Sequence, residues 1–297
     1  MSFLSKEISM EKKRLGRTGM MISPIVYGGI IHMGETQETA NRYVSYAVDC
    51  GVNYFDVAPS YNDAEQLLGV ALKPYRKNVF LACKTMERTA SGSLRELENS
   101  LKALQTDHFD VYQLHSITTA EDVDTIFGPD GAMETFLSAK KKGIILNIGF
   151  SAHSEEQALR AMDLFDFDTV LFPMNWALGL VRGWGDRVAQ KVRQSDKGLL
   201  CIKTLVDRKW REGENRDEFP KSWCHPTTDN EKTGMAGMKY AFSKGATALV
   251  PPGDFKSFNF MLDHIDQVLQ NPLNETDRIY LQEEAQKIKD ELIFDNQ

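Results

Sequence analysis

Four residues able to carry or move protons stand near the ends of strand-like runs: Asp56, Tyr61, Lys84 and His115. A carboxylate, a phenol, an ammonium and an imidazole are the side chains of acid–base chemistry. Asp56 follows Tyr54-Phe55 inside an apolar run, and Tyr61 comes five positions later, after Ala58-Pro59-Ser60, where the chain turns towards a helix. That separation lets both side chains face one mouth. Taken singly, each residue also has an ordinary account: a strand-end cap, a rim aromatic, a surface cation and a satisfied core histidine. Other chemistries are poorly served. Ser151 and His153 lie two apart on one run, where side chains need not meet, and no G-x-S-x-G elbow surrounds the serine. Among the six histidines there is no H-E-x-x-H pair, and His32, His115, His153 and His264 lack ligand spacing, so no metal is expected. Cys50, Cys83, Cys201 and Cys224 are too far apart for a paired metal motif and read as core thiols, with Cys224, in a polar loop, the one expected to be exposed.

The elements that must position these groups alternate in period. Lys13 to Ile22 reads as a short hairpin turning at Gly16-Arg17-Thr18-Gly19, and Pro24 to Gly29 as an apolar strand. Ala40, Tyr43, Val44, Ala47 and Val48 recur at helical spacing after a Thr36 cap, with Gly51 as the stop. Asn53 to Ala58 is the next strand, and the helix through Ala64, Leu67, Leu68 and Ala71 starts at what resembles an Asn62/Glu65 capping box. The rhythm continues through strands at 79–84, 109–115, 144–150, 169–173, 198–203 and 247–250. Helices separate them, and two more are expected through Phe260 to Leu269 and Ile279 to Leu292. Short, nearly continuous apolar strands with one-sided helices fit a parallel sheet covered on its outer face. An α/β fold, a (β/α)8 TIM barrel with a short N-terminal hairpin and a C-terminal helix, satisfies this as one domain over residues 1–297. The rival, an open doubly wound sheet, lacks G-x-G-x-x-G at Gly28-Gly29-Ile30-Ile31-His32-Met33-Gly34. Residues 206–234, with Trp210 and Trp223, read as an excursion over the catalytic face.

Lysine and arginine number 35 against 42 aspartates and glutamates, a net charge of −7 with the two signs interspersed, which disfavours a nucleic-acid-binding face. The first seven residues show no export signal and no run reaches membrane-spanning length, so a cytoplasmic address is expected, with no membrane or nucleic-acid partner. Nothing fixes the oligomeric state.

From about Leu15 through the last strand and its helix, the chain resembles the aldo-keto reductase family. The likeness is carried by Gly51-Val52-Asn53-Tyr54-Phe55-Asp56-Val57-Ala58-Pro59-Ser60-Tyr61-Asn62-Asp63-Ala64-Glu65, by Phe109 to His115, and by Asn147-Ile148-Gly149-Phe150-Ser151. The resemblance implies hydride transfer between a nicotinamide and the carbonyl of a small-molecule aldehyde or ketone. It makes Tyr61 the proton donor, Lys84 the cation favouring phenolate, Asp56 the anchor of Lys84, and His115 the partner of the substrate oxygen. A non-catalytic, cofactor-binding regulatory subunit of the same fold is the alternative.

For the cofactor, the resemblance puts Ser151 and Asn175 at the nicotinamide carboxamide. The family's usual Asn after the serine is Ala152 here, and the expected Gln is Leu171. Ile202-Lys203-Thr204-Leu205 stands where many members have Tyr-Ser-Pro-Leu, closer to a bacterial-type branch with an aliphatic residue and then Lys. Pro252, Gly253, Lys256 and Ser257 mark the phosphate end. The Lys-Ser pair and Arg that often hold a 2′-phosphate are replaced by Pro252-Gly253 and Phe258-Asn259. NADPH is the expected cofactor, with NADH an open choice. Substrate is expected to be bounded by His32, Met33, Trp176 and the loops 117–127 and 210–223.

Overall fold

A computed structural model describes residues 10–294. The reading of residues 1–7 as free of an export signal, and both ends of the 1–297 domain assignment, lie outside the described residues. Strands β1 (Lys13–Arg14) and β2 (Met21–Ile22) form the expected antiparallel hairpin. The chain then runs β3 (Tyr27–Gly28), α1 (Gln37–Asp49), β4 (Tyr54–Asp56), α2 (Ala64–Leu72), β5 (Phe80–Thr85), α3 (Ala90–Ala103) and β6 (Phe109–Ile117). It continues with α4 (Ala120–Phe127), α5 (Ala132–Lys141), β7 (Ile145–Ala152), α6 (Glu155–Leu164), β8 (Thr169–Pro173), α7 (Trp176–Arg182) and α8 (Asp186–Gln194). Last come β9 (Gly198–Ile202), α9 (Glu231–Ser243), β10 (Ala248–Leu249), α10 (Phe255–Gln270) and α11 (Glu275–Lys287).

Strands β3 to β10 form a curled eight-stranded sheet in sequence order, every pair parallel, with helices around it. Its two ends meet at a parallel bridge between Ile25 and Leu249, where Val26 N donates to Leu249 O and Leu249 N to Pro24 O, both at 2.9 Å. Side chains alternate across each strand, so Tyr54, Ala82, Val111, Leu171, Leu200 and Ala248 pack together on the inner face. The hairpin closes the N-terminal end of that interior. Leu15 belongs to the same cluster, and a Cβ at Gly198 would stand 2.4 Å from its side chain. The site is thereby left to the opposite end, where the strands finish.

Local chemistry explains most boundaries. Thr36 and Ser154 cap their helices by accepting from Thr39 N and Gln157 N, as their positions in the sequence suggest. The Asn62/Glu65 box does not form. Asp63 holds the cap position of α2 but its Oδ1 accepts from Gly34 N rather than from the helix, Asn62 is left-handed at φ 51°, and Glu65 turns inward to accept from Cys83 Sγ at 3.3 Å. Cys224 is buried rather than exposed, because residues 219–224 fold down onto the loop after β10: a Cβ at Gly253 would meet Lys221 O at 2.4 Å. Residues 117–127, expected as loop, contain α4, whose Thr119/Asp122 capping box nucleates it. Among the described residues no helix is long and apolar enough to cross a membrane.

Candidate active site

Asp56 ends β4, Lys84 lies one residue before the end of β5, and His115 sits on β6; Tyr61 stands in the turn that follows β4. That turn is fixed by two backbone bonds, Tyr61 N to Ala58 O at 3.1 Å and Ala64 N to Tyr61 O at 3.0 Å. All four residues come together at the C-terminal end of the sheet. Lys84 Nζ donates to Asp56 Oδ2 in a fully buried ion pair and lies 5.3 Å from the centre of the Tyr61 ring. The Tyr61 and His115 rings meet edge to face at 5.9 Å. Asp56, Tyr61 and His115 line one pocket, and Lys84 sits just behind it.

Opposing effects set the charges. Burial works against a charged Lys84, but Asp56 and Tyr61 more than offset it and hold the amine above the ordinary lysine range. For Tyr61 burial wins: the phenol is raised from its usual value although Lys84 pulls the other way. Lys84 does favour phenolate, as expected, but burial outweighs it. Burial, with repulsion from Lys84, His153 and Arg88 added, holds His115 well below the usual histidine range, so it is a neutral hydrogen-bonding group.

The expected cofactor residues divide. Ser151, Ile202, Lys203, Pro252 and Gly253 line the same pocket. Thr204, Leu205 and Ser257 are fully buried behind it, and Lys256 points outward to Glu218 at 2.5 Å and Asp229 at 2.9 Å. Asn175 is committed elsewhere: its Oδ1 caps α7 by accepting from Leu178 N, and its Nδ2 donates to Lys203 O and Val206 O. Its amide is saturated by the loop that it shapes. His32, Met33 and Trp176 do not line the pocket. His32 and Trp176 are buried, the latter in a cluster with Val206, Tyr240 and Leu281.

The loop expected over the site reaches it through Trp223, whereas Arg88 and Gln113 were not expected to support it. Trp223, 61% exposed, lies 6.5 Å from Tyr61 ring to ring and has Lys203 Nζ 5.2 Å over its indole. Lys221 anchors the same segment by donating to Ile31 O and Glu35 Oε1, both at 2.6 Å. Beneath this cover the remaining space is about 80 Å³. Arg88 donates to His115 O at 2.8 Å, and Gln113 to Asp56 Oδ1 at 2.7 Å. The loop residues carried no periodic signal. Gln113, a polar residue in an apolar strand, was a signal that could have been read.

Residues 24–244 match the model of the aldo/keto reductase family. Among curated proteins, the aldo-keto reductase YhdN of Bacillus subtilis is 32% identical over 175 residues, 52% of this chain and 50% of that protein. The uncharacterized oxidoreductase YqkF of the same organism is 29% identical over 157 residues, 48% of this chain and 49% of the relative. The chain thus spans about half the length of the curated relatives it matches. In fold it is similar to a candidate aldo-keto reductase of Pseudomonas aeruginosa, with a TM-score of 0.71 and 21% identity over 91% of this chain and 99% of that one.

Proposed function

From the premise that the chain belongs to the aldo/keto reductase family, we propose that it is a carbonyl reductase, converting an aldehyde or ketone to an alcohol with a reduced nicotinamide cofactor. In this reading the curled sheet is a closed (β/α)8 barrel, the chain is one domain, and its site opens on the mouth that the strand ends share. The observation that carries the proposal is the buried Lys84–Asp56 pair beside Tyr61, with His115 on the other side of the same ring.

The residues present fit a nicotinamide cofactor at two places. Ser151 Oγ accepts from Ser116 N at 2.7 Å, which leaves its proton free for a carboxamide oxygen, and Ile202 offers an apolar surface. At the start of α10, Ser257 Oγ, Asn259 Oδ1 and Asp254 Oδ2 are buried without a protein partner, as suits a polar ligand end. Lys203 supplies positive charge nearby, Pro252 and Gly253 the close backbone, and Thr204 and Leu205 the packing beneath, while Lys256 would have to leave Glu218 and Asp229 to reach the ligand. When bound, the cofactor supplies the hydride. Tyr61 gives its proton to the carbonyl oxygen as that oxygen becomes alkoxide, neutral His115 donates a hydrogen bond to the same oxygen, and Lys84 compensates the charge left on Tyr61. Asp56 keeps Lys84 ionised and directed. About 80 Å³ is left under Trp223, and that 61% exposed side chain is the cover placed to move as the partners enter.

NADPH remains the proposed cofactor. One observation favours NADH: the buried carboxyl of Asp254 stands at the cap of α10, where a 2′-phosphate would need positive charge. Equilibrium binding separates them, and NADH binding ~10-fold tighter, about 1.4 kcal/mol, would overturn the choice of NADPH. Loss of reduced-cofactor absorbance with a small carbonyl panel tests the activity itself. Cofactor binding without turnover of any carbonyl would favour the regulatory-subunit reading. Tyr61→Phe should bind cofactor normally and lose ~10²–10⁴-fold in single-turnover reduction. A rate within about threefold of the parent would make Tyr61 a rim aromatic.

A further inference from the structure

Asp56 is held by two donors, one on each oxygen. Lys84 takes Oδ2, and Gln113 Nε2 lies 2.7 Å from Oδ1. A carboxylate only accepts, so the amide nitrogen must face it. Gln113 is fully buried on β6 and stands in register with Lys84 on one side and Gly149 on the other. A Cβ at Gly149 would clash with Thr169 Oγ1 at 2.2 Å and stand 3.1 Å from Gln113 Cγ, so a side chain there would also press on the glutamine.

A buried amide costs stability unless it is bonded, and a leucine at this place in an apolar strand would not. The other end of the amide recovers none of that cost, since Gln113 Oε1 has no protein partner. What the residue does contribute is direction. Without it, Asp56 Oδ1 has no donor, the carboxylate can turn about its last torsion, and Lys84 turns with it, away from the Tyr61 ring.

We propose that Gln113 is a positioning residue for the proton donor: by holding Asp56 Oδ1 it fixes the Asp56–Lys84 pair, and through Lys84 the surroundings of the Tyr61 hydroxyl. This rests on the reading of Tyr61 as the proton donor, so one readout is chosen that needs no substrate. In Gln113→Met, which keeps the length and loses the donor, the Lys84 ammonium protons should exchange with solvent at least tenfold faster by nitrogen-15 NMR. Single-turnover carbonyl reduction should fall about tenfold, while the Kd for reduced cofactor stays within threefold.

Gln113→Glu adds a test that plain packing cannot mimic. The introduced carboxyl donates to Asp56 only while protonated, so turnover should approach the parent's at low pH and fall as the pH rises through its ionisation. The titratable groups beside it are Asp56 from β4, Lys84 from β5 and, two residues on along the same face of β6, His115, while β7 and β8 offer Gly149 and Thr169, which do not titrate. Parent-like exchange of the Lys84 ammonium in folded Gln113→Met overturns the proposal, even if the parent reduces no carbonyl and the reductase reading falls separately. Should that variant fail to fold, a Gln113→Glu profile without the added limb, or parent-like ammonium exchange in this variant at high pH, overturns it.

Discussion

Tyr61 and Lys84 show how two neighbouring groups with opposite needs are held in one dry site. Burial favours neutral forms for both, yet Lys84 stays charged because Asp56 adjoins it, while Tyr61 stays protonated because one cation at its ring does not outweigh desolvation. A protonated phenol is what reduction requires, so the rate of hydride transfer to a carbonyl should hold across neutral pH and fall only as Tyr61 loses its proton, above its ordinary value. His115 is held well below the usual histidine range and should add no limb near ~6.5. Single-turnover rates from pH 5 to 9 check this, and a tenfold change centred near 6.5 would mean that His115 titrates in the working enzyme. Lys84→Met removes the compensating charge and should lower the same rate at least tenfold with cofactor binding kept. The identities of these four residues were legible from the motif and its spacing. Which effect would win at Tyr61 was not, because burial depends on the segment carrying Trp223, which has no pattern of its own.

At the scale of the element, the aim of His115 comes from a defect in β6. The pairing of β6 with β7 shifts register between Leu114 and Ile117, and Ser116 in that bulge adopts φ 54°, a left-handed conformation costly for a side-chain-bearing residue. Three bonds hold it: Ser151 Oγ accepts from Ser116 N, and Arg88, itself tied to Asp122 at 2.8 Å, donates to the carbonyls of His115 and Ser116. Ser151 thus braces the strand even before any cofactor role. Arg88→Met should let the bulge relax and swing His115 from Tyr61, lowering carbonyl reduction roughly tenfold at unchanged cofactor affinity. Ser116→Gly should leave the rate intact and gain up to ~1 kcal/mol in urea unfolding, since glycine takes this conformation freely. A slowed Ser116→Gly, or an Arg88→Met as fast as the parent, would separate the bulge from function. The strands and most helices could be read from period and caps, whereas the bulge could not, since nothing in Leu114-His115-Ser116-Ile117 breaks the strand pattern. Helix α7 was missed for a related reason: seven residues are too few for a stripe, and its start depends on Asn175, which the family likeness assigned to cofactor.

Three histidines, His32 buried and His115 and His153 half-buried, gather at the mouth end of the sheet. His32, between β3 and α1, has both ring nitrogens buried without a protein partner and is held at about 3 by burial and by Lys221. His153, just past β7, is held at about 4 by burial and by Lys203, with Phe294 stacked on its ring at 5.1 Å. His115 completes the set. Each is depressed in the folded chain relative to ~6.5 in the unfolded one, so below that value the unfolded state binds protons that the folded state refuses. The stability they contribute is present in full above ~6.5 and is lost progressively as the pH falls towards about 4 for His153 and about 3 for His32. At pH 5 the loss is ~2 kcal/mol for each fully neutral histidine, from ~1.4 kcal/mol per pH unit over about 1.5 units. A loss of that size is a large share of the 5–15 kcal/mol typical of a folded protein, so the midpoint of urea unfolding should drop steeply between pH 7 and 5. The carboxylates that most folds lose on acidification should contribute little in this window, because their unfolded values lie near ~4. His153→Phe should flatten the slope by about one proton's worth, and the expectation fails if that variant and the parent lose the same stability over those two pH units.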